Sequence, residues 1–255
     1  MALSLGIPKG SLQDSTIELL TKAGIHTSVK RRSYYPVCDD PDLDLILMRP
    51  QEMPRYVEEG VIDAGITGYD WTVENDSDVV QVSELEYSKV SRTKSKWVLA
   101  VPYDSGFKSP EDLRNKRIAT ELVQTTKRFF SGLDVPVKVE FSWGTTEAKP
   151  PRLVDAIVDI TETGSSLKAN NLRIISTILE TTTVFIANKE AWDQPEKRSK
   201  IESLELLLEG TLKAENYVGI KCNCREKDLE KIEKILPAMH NPTVSHLTDK
   251  GWYAI

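Results

Sequence analysis

An α/β fold with largely parallel sheets is what the 255-residue sequence predicts, and three observations predict it. Short β-rich runs recur at residues 3–7, 43–48, 62–67, 96–101, 117–120, 137–141, 156–161, 172–177 and 183–187. Stretches with helical character fall between them, which is the pattern of βαβ units. Hydrophobic residues make up 40% of the chain, enough for a sizeable core, and the length corresponds to about two domains.

Taken in order, "LSLGI" opens the first unit, and "PKG" turns it into a helix. Ser11 with Asp14 three residues on reads as a capping-box-like start, Ile17, Leu20 and Ala23 as the apolar stripe, and Gly24 as the stop. "LDLILM" is the next strand, followed by Arg49. "DAGITGYDWTVE" ends a strand in Gly65, Thr67 and Gly68 and continues with Asp70 and Glu74 at helical spacing. Pro102, Gly106 and Pro110 punctuate entry into a second unit, residues 91–177. The chain then returns to the first unit through "TTTVFIANKEAW" and the charged helix "PEKRSKIESLELLLEG". The first unit thus comprises residues 1–90 and 178–210. A small appendix, residues 214–255, reads as strand, helix, strand, strand. Phe129 and Phe130 read as core packing rather than base stacking.

Composition excludes several classes. A net charge of -6 argues against a nucleic-acid partner, so Lys30-Arg31-Arg32 and the basic stretch from Lys89 to Lys96 read as solvated faces, with contact to an anionic ligand as the alternative. Three cysteines make no disulfide framework and fit a reducing compartment. Cys222 and Cys224, with His240 and His246 downstream, are too irregularly spaced for a soft-metal site, and His26 is an isolated surface candidate. The N-terminus lacks the apolar length of a signal peptide, and no run of about 18 apolar residues could span a bilayer. The expectation is a soluble, cytoplasmic protein with no membrane partner.

Three segments carry candidate chemistry. "GIPKGSLQDS" places a turn between strand end and helix start, where free N–H groups and the helix dipole favour an anion and Lys9 adds a charge; a tight turn with a surface lysine is the alternative. It is not a Walker A loop, because the Gly-x-x-x-x-Gly-Lys-Ser spacing is absent. The glycines of "DAGITGYD" allow close backbone approach by a ligand, or form a plain turn capped by Asp70. Arg49, at a strand's C-terminal end where open α/β sheets bind ligands, has a planar fork suited to phosphate. The third segment is "VDAIVDITETGSSLKANNL". After its apolar run, Thr163, Gly164, Ser165 and Ser166 present N–H and hydroxyl donors at the start of a helical segment, a phosphate cradle or simply a turn. Asp159, near the strand end, could contact ribose hydroxyls or a hydrated Mg²⁺. The job of Asp155, four residues earlier, is open.

"DAIVDITETGSSLKANNL" resembles the phosphoribosyl-pyrophosphate signature of the ATP phosphoribosyltransferases, the enzymes that begin histidine biosynthesis. The likeness extends to "IPKGSL", "EEGVIDAGITGYD", "KRIAT" and "WGTTEAK", five blocks in the family's order across residues 7–172. The resemblance implies two periplasmic-binding-protein-like α/β domains around a central cleft. It also implies a reaction joining N1 of ATP to C1 of phosphoribosyl pyrophosphate, with release of pyrophosphate and Mg²⁺ as cofactor. By that likeness Lys9 and Arg49 serve the pyrophosphate side, and Asp159 meets the ribose hydroxyls and weakly the metal. Thr161, Glu162, Thr163, Gly164, Ser165 and Ser166 form the sugar-phosphate segment. Glu147 matches the glutamate proposed to take a proton from the adenine amino group, while Gly68, Asp70 and Glu74 line the cleft on the ATP side.

Residues 214–255 resemble the start of the ACT-like regulatory domain of the long form, a β-α-β-β-α-β unit whose last helix and strand do not appear. That form implies L-histidine as feedback inhibitor and a homo-oligomer, a dimer assembling to a hexamer. The chain departs from the family pattern in two places: "AKPPRLVDAI" is one residue shorter than in many members, and Ser166 replaces a commoner threonine while keeping the hydroxyl. Two competing functions remain at this point. A non-catalytic receptor-like binding module would share the fold, and a type I phosphoribosyltransferase would act on a free base. The second usually has adjacent acidic residues before Thr-Gly-x-Thr, and it leaves the Lys9 and Gly65 blocks unexplained.

Overall fold

The structure is a computed structural model describing residues 2–87, 94–236 and 242–255. The chain divides into two compact units, residues 1–212 and 213–255.

The larger unit contains two five-stranded sheets. The first is built from β1 (Leu3–Pro8), β4 (Leu43–Met48), β5 (Ala64–Gly68), β6 (Val80–Leu85) and β12 (Thr183–Ala187), in the order β4-β1-β5-β12-β6. A small hairpin of β2 (Thr27–Ser28) and β3 (Val37–Cys38) precedes β4. The second sheet takes β7 (Ser95–Pro102), β8 (Arg117–Thr120), β9 (Lys138–Phe141), β10 (Ala156–Thr161) and β11 (Leu172–Thr181), in the order β11-β7-β10-β8-β9. We call the body around the first sheet lobe I and the body around the second lobe II. The chain passes from I to II between β6 and β7 and returns at Thr182.

Neither sheet is largely parallel, contrary to the sequence expectation. β1, β4 and β5 run parallel, as do β8, β9 and β10, but β12 is antiparallel to both β5 and β6, and β7 to both β10 and β11. These antiparallel strands flank the two crossings between lobes. A strand that enters a sheet straight from the other lobe need not have the helical crossover that parallel pairing requires.

Each sheet is covered on both faces, and strand alternation explains how. Phe185 and Ala187 join Leu5, Ile7 and Ile66 on one side of sheet I, under α1 (Gln13–Lys22) and α7 (Pro195–Ala214). Val184 and Ile186 turn to the other side, against Met53 and Val57 of α2 (Met53–Glu58). A Cβ on Gly6 or Gly65 would lie 2.2 or 2.7 Å from the Met53 sulfur, so both glycines are there to let α2 sit on the sheet. In sheet II, Trp97, Leu99 and Val101 pack with Phe130 of α4 (Val123–Gly132), while Val98 and Ala100 face Leu167 of α5 (Ser165–Ala169). Burial of each such Leu, Ile or Phe side chain contributes about 1.5–3 kcal/mol. α3 (Tyr69–Asn75) follows β5 directly, and α6 (Lys189–Asp193) follows β12, capped by the Asn188 side chain accepting from the Ala191 N–H.

Helix α1 begins differently from the sequence reading. Its N-cap is Leu12, with no side-chain cap, because the turn at Gly10 (φ +122°) carries the chain past Ser11 before helical geometry starts. Gly24 (φ +90°) does end it, with Ile25 donating back to Leu20. The buried stripe is Thr16, Leu19 and Leu20.

In the smaller unit, β13 (Asn223–Arg225), α8 (Leu229–Ile235), β14 (Ser245–His246) and β15 (Trp252–Ala254) follow the expected strand-helix-strand-strand order, with the sheet ordered β13-β15-β14. His240 and the basic residues Lys89 and Arg92 lie outside the described residues. Of the rest of that basic stretch, Lys94 pairs with Glu84 and Lys96 with Glu180 at the surface.

Candidate active site

A cleft of about 580 Å³ opens between the lobes, within the size range of small-molecule sites. Its walls are the C-terminal ends of the parallel strands. Ser11 and Leu12 follow β1, Pro50 and Gln51 follow β4, Gly68 ends β5, Glu121 follows β8, and Asp159 and Thr161 end β10. This is where α/β sheets bind ligands. The floor lies by the two crossings, at Tyr87, Ser95, Trp97 and Thr181 to Thr183.

The end of β10 is the most elaborated wall. Thr161 Oγ1 accepts the Gly164 N–H at 2.8 Å, and Gly164 adopts φ +74°, a left-handed conformation suited to glycine. The turn delivers the chain into α5. The first backbone N–H groups of a helix, here those of Ser165 and Ser166, have no partner inside it. The Thr163 hydroxyl donates to Ser165 Oγ at 3.0 Å, and the Ser166 hydroxyl donates to Glu147 Oε1 at 2.9 Å. Thr161, Glu162, Thr163, Ser165 and Ser166 all line the cleft.

Asp159 Oδ1 accepts the Ile160 N–H at 2.8 Å. Burial raises its carboxyl from 3.8 to about 6, offset in part by that bond and reinforced by the negative charges of Glu147 and Glu121. Glu121 follows Thr120, the residue next to Val158 on the neighbouring strand, and so stands beside Asp159 at the C-terminal ends of these two strands.

Lys9 and Arg49 sit together just outside the cleft wall, flanking Ser11 and Pro50. They follow the paired residues Pro8 and Met48, and the Lys9 N–H donates to the Met48 carbonyl at 2.7 Å. Lys9 Nζ lies 3.8 Å from the Tyr34 ring centroid, and Arg49 Nη1 stands 3.4 Å from where a Gly10 Cβ would be. A Cβ at position 10 would be in ordinary contact with the guanidinium, and it is the φ of +122° that favours glycine there.

Several expected roles change. Gly68 lines the cleft, but the room above it is taken by Asp70 Oδ1, 2.1 Å from where a Cβ would stand, rather than kept for a ligand. Asp70 is not the N-cap of α3, which is Gly68; it lies in the first turn, 3% exposed. Its carboxylate accepts the Trp97 indole N–H at 2.7 Å and the Thr181 hydroxyl at 3.0 Å, and burial holds its carboxyl above the ordinary carboxylate range despite both bonds. Glu74 does not reach the cleft lining. Its carboxylate accepts from the N–H groups of Gln124 and Thr125 and from the Thr125 hydroxyl, at 2.8–2.9 Å. Asp155 anchors the start of β8, accepting the Arg117 N–H at 2.9 Å and pairing with Lys116 at 3.4 Å. Phe130 is core, with Phe129 edge-on against it. His26 is exposed beside Asp39. Among the described residues no group of three His, Cys, Asp or Glu could hold a metal, Cys222, Cys224 and His246 included.

Sequence reasoning missed Trp71, Tyr87, Trp97, Glu121 and the threonines at 181 to 183. A run of three threonines between two apolar strands was the one visible sign, since hydroxyls at a strand junction must find partners.

Two layered α/β lobes around a cleft built from strand ends define a protein of the bilobal α/β class. Solved structures share the fold: one entitled Tv2483 bound to L-arginine matches at a TM-score of 0.57 with 17% identity, over 84% of this chain and 86% of that one. The periplasmic aliphatic sulphonate binding protein SsuA from Escherichia coli matches at 0.52 with 15% identity, over 84% and 73%.

Within that class the chain belongs to the ATP phosphoribosyltransferase family. The family model described as ATP phosphoribosyltransferase matches residues 49–210, and that of the HisG C-terminal domain matches residues 214–255. The ATP phosphoribosyltransferase of Chlorobium luteolum is 54% identical over 253 residues, 99% of this chain and 86% of that protein; that of Thermodesulfovibrio yellowstonii is 53% identical over 99% and 87%. The ATP phosphoribosyl transferase (HisG:HisZ) complex from Thermotoga maritima matches at a TM-score of 0.71 with 31% identity, over 83% of this chain and 98% of that one. Among the described residues no helix is long and apolar enough to cross a membrane.

Proposed function

We propose that the cleft binds ATP and phosphoribosyl pyrophosphate and joins N1 of the adenine to C1 of the ribose, releasing pyrophosphate, as the first step of L-histidine biosynthesis. The observation that carries this reading is the turn from Thr161 to Ser166, a donor-rich loop at the end of a cleft strand, with Asp159 just before it, in a chain of this family. As the bond from C1 to pyrophosphate breaks and N1 closes on C1, positive charge builds on the sugar and negative charge on the leaving group. Catalysis then needs a fixed sugar and cations by the leaving group more than a strong nucleophile.

The chain's residues divide accordingly. Ser165 and Ser166 N–H groups and the hydroxyls of Thr163 and Ser165 hold the 5-phosphate. Asp159, ionised above about 6, accepts from the ribose hydroxyls. Lys9 and Arg49 face the pyrophosphate side. Gly68 and Asp70 line the adenine side with Trp71. Glu147, adjoining the turn through Ser166, is assigned the proton released from the adenine amino group.

Mg²⁺ fits this donor set. Among the described residues the cleft lining offers Asp70, Glu121, Asp159 and Glu162, with Lys9 and Arg49 only outside it, so a cation brought with the polyphosphate would offset the negative charge of the lining. No cage of three acidic groups is present among those residues, and Mg²⁺ is commonly held by one or two carboxylates plus substrate phosphates. Asp159 would hold it, and the ion when bound supplies charge to the departing pyrophosphate.

The smaller unit is read as ACT-like and regulatory, taking L-histidine as feedback inhibitor, in a homo-oligomer of dimers and hexamers in the cytoplasm. The match of residues 214–255 to the family's C-terminal domain supports that assignment. The test is pyrophosphate release on mixing ATP, phosphoribosyl pyrophosphate and Mg²⁺. No release with binding intact would leave a binding module, and release with hypoxanthine or orotate in place of ATP would mean a free-base transferase. Sedimentation with and without histidine tests the regulatory part.

A further inference from the structure

Helix α3 belongs to lobe I, yet the acidic residues on one of its faces bond to lobe II. Asp70 and Glu74, four residues apart, stand one above the other. Asp70 bonds Trp97 and Thr181, which lie within two residues of the ends of β7 and β11 where the chain crosses between lobes. Glu74, about 6 Å further along the helix axis, bonds Gln124 and Thr125 at the start of α4, well away from either crossing in sequence. Arg128 of α4 returns a bond to the Val73 carbonyl and also reaches Thr125 Oγ1 at 3.3 Å.

The start of α4 has no cap of its own. Its N-cap residue is Leu122, which provides no side-chain acceptor, so the orphan N–H groups of Gln124 and Thr125 are satisfied by a carboxylate from the other lobe. In a rotation of the lobes about the crossings, the bonds of Asp70, made beside them, would move least and those of Glu74 most.

We propose that α3 is the clasp of the cleft: Asp70 is its pivot, and Glu74 is a positioning residue that caps α4 when the lobes are closed on substrate and uncaps it when they open. Because Glu121, in the cleft lining, lies two residues before α4, the same contact fixes that wall while substrates are held.

The proposal rests on the reading of the cleft as the substrate site, and amide hydrogen exchange combined with steady-state kinetics tests it. In the wild-type protein, saturating ATP, phosphoribosyl pyrophosphate and Mg²⁺ should slow exchange at Gln124 and Thr125 about tenfold or more, although neither residue lines the cleft. In Glu74→Gln, where one of the two accepting oxygens becomes an NH2 group that cannot accept and the charge is lost, exchange there should be faster than in substrate-saturated wild type, with or without substrates, and KM for both substrates should rise about tenfold, as for loss of one charged hydrogen bond, with kcat within twofold. Thr125→Val, which removes only the hydroxyl donor, should give a smaller change of the same kind.

Equal protection of the α4 start in free and substrate-saturated wild type would overturn the proposal, since the contact would then be static packing. Unchanged KM values in Glu74→Gln would overturn it too. Absence of turnover in the wild type would instead sink the assigned reaction. The clasp would then be decided by exchange alone in the presence of ATP and phosphoribosyl pyrophosphate, where equal exchange at Gln124 and Thr125 in wild type and Glu74→Gln refutes it.

Discussion

Replacing Asp159 with asparagine separates what this residue does for the reaction from what it costs the fold. Its carboxyl titrates at 3.8 in the unfolded chain and at about 6 in the folded one, mainly because it is buried. At about 1.36 kcal/mol per pH unit, the ionised form costs the folded state about 3 kcal/mol. The sign follows from the raised value. The folded protein binds this proton more tightly than the unfolded chain, so the penalty is absent below 3.8, grows as pH rises, and is complete above about 6. Asparagine keeps the acceptor for the Ile160 N–H and carries no charge. At pH 8 the Asp159→Asn protein should therefore melt higher than wild type, by about 2–4 °C for each kcal/mol recovered, and the gain should vanish near pH 4. In kinetics, wild-type kcat/KM for phosphoribosyl pyrophosphate should fall about tenfold from pH 7 to pH 5 as the carboxylate is protonated. The variant should be far less active and lack that limb. Calorimetric scans at several pH values and a pyrophosphate-release assay read both effects. A variant with full turnover, or with the same melting advantage at pH 4.5 and pH 8, refutes the reasoning.

Other substitutions probe the remaining walls. Lys9→Ala and Arg49→Ala should each raise the barrier by about 2–4 kcal/mol, like loss of one charge-stabilising donor; wild-type turnover in either would remove that residue from the pyrophosphate side. Gly164→Val should fold, because the nearest atom to the added Cβ is Ile174 Cδ1 at 3.8 Å, but the strain at φ +74° should distort the turn. Tight calorimetric binding of phosphoribosyl pyrophosphate by that variant would dismiss the cradle. Gly68→Ala should force the Asp70 carboxylate off its site and break its bond to the Trp97 indole, shifting tryptophan emission; an unchanged spectrum and melting point would show that the 2.1 Å overlap is relieved some other way.

Most strands were legible because they are apolar runs, buried on both faces, such as Leu3–Pro8 and Thr183–Ala187. Val80–Leu85 was missed because it is an edge strand with polar residues at exposed positions, and no length of apolar run marks it. Strand direction was not legible, since periodicity is the same whichever way a strand runs. The turn from Thr161 to Ser166 could be read as a donor-rich loop because its chemistry is local. The roles of Asp70, Glu74 and Asp155 could not, because their partners lie 27 to 111, 50 to 51 and 38 to 39 residues away. A carboxylate at helical spacing looks the same whether it faces a ligand, water or another lobe. Read again, the sequence held one hint: a helix opening "ELVQTT" with no capping side chain needs an acceptor from elsewhere.

The chain's double crossing also bears on how the protein is made. Lobe II occupies one continuous stretch, from Ser95 to Thr181, and can fold as soon as that stretch leaves the ribosome. Lobe I cannot. Its strand β6 is hydrogen-bonded in the sheet only to β12, and its core is closed by Ile201, Leu204 and Leu208 of α7, all synthesised after lobe II. The first half of the lobe that carries Lys9 and Arg49 must therefore wait, with an unpaired edge at β5, for residues more than a hundred positions downstream. A released chain ending between β11 and β12 would show a protease-resistant lobe II beside a still-sensitive N-terminal segment.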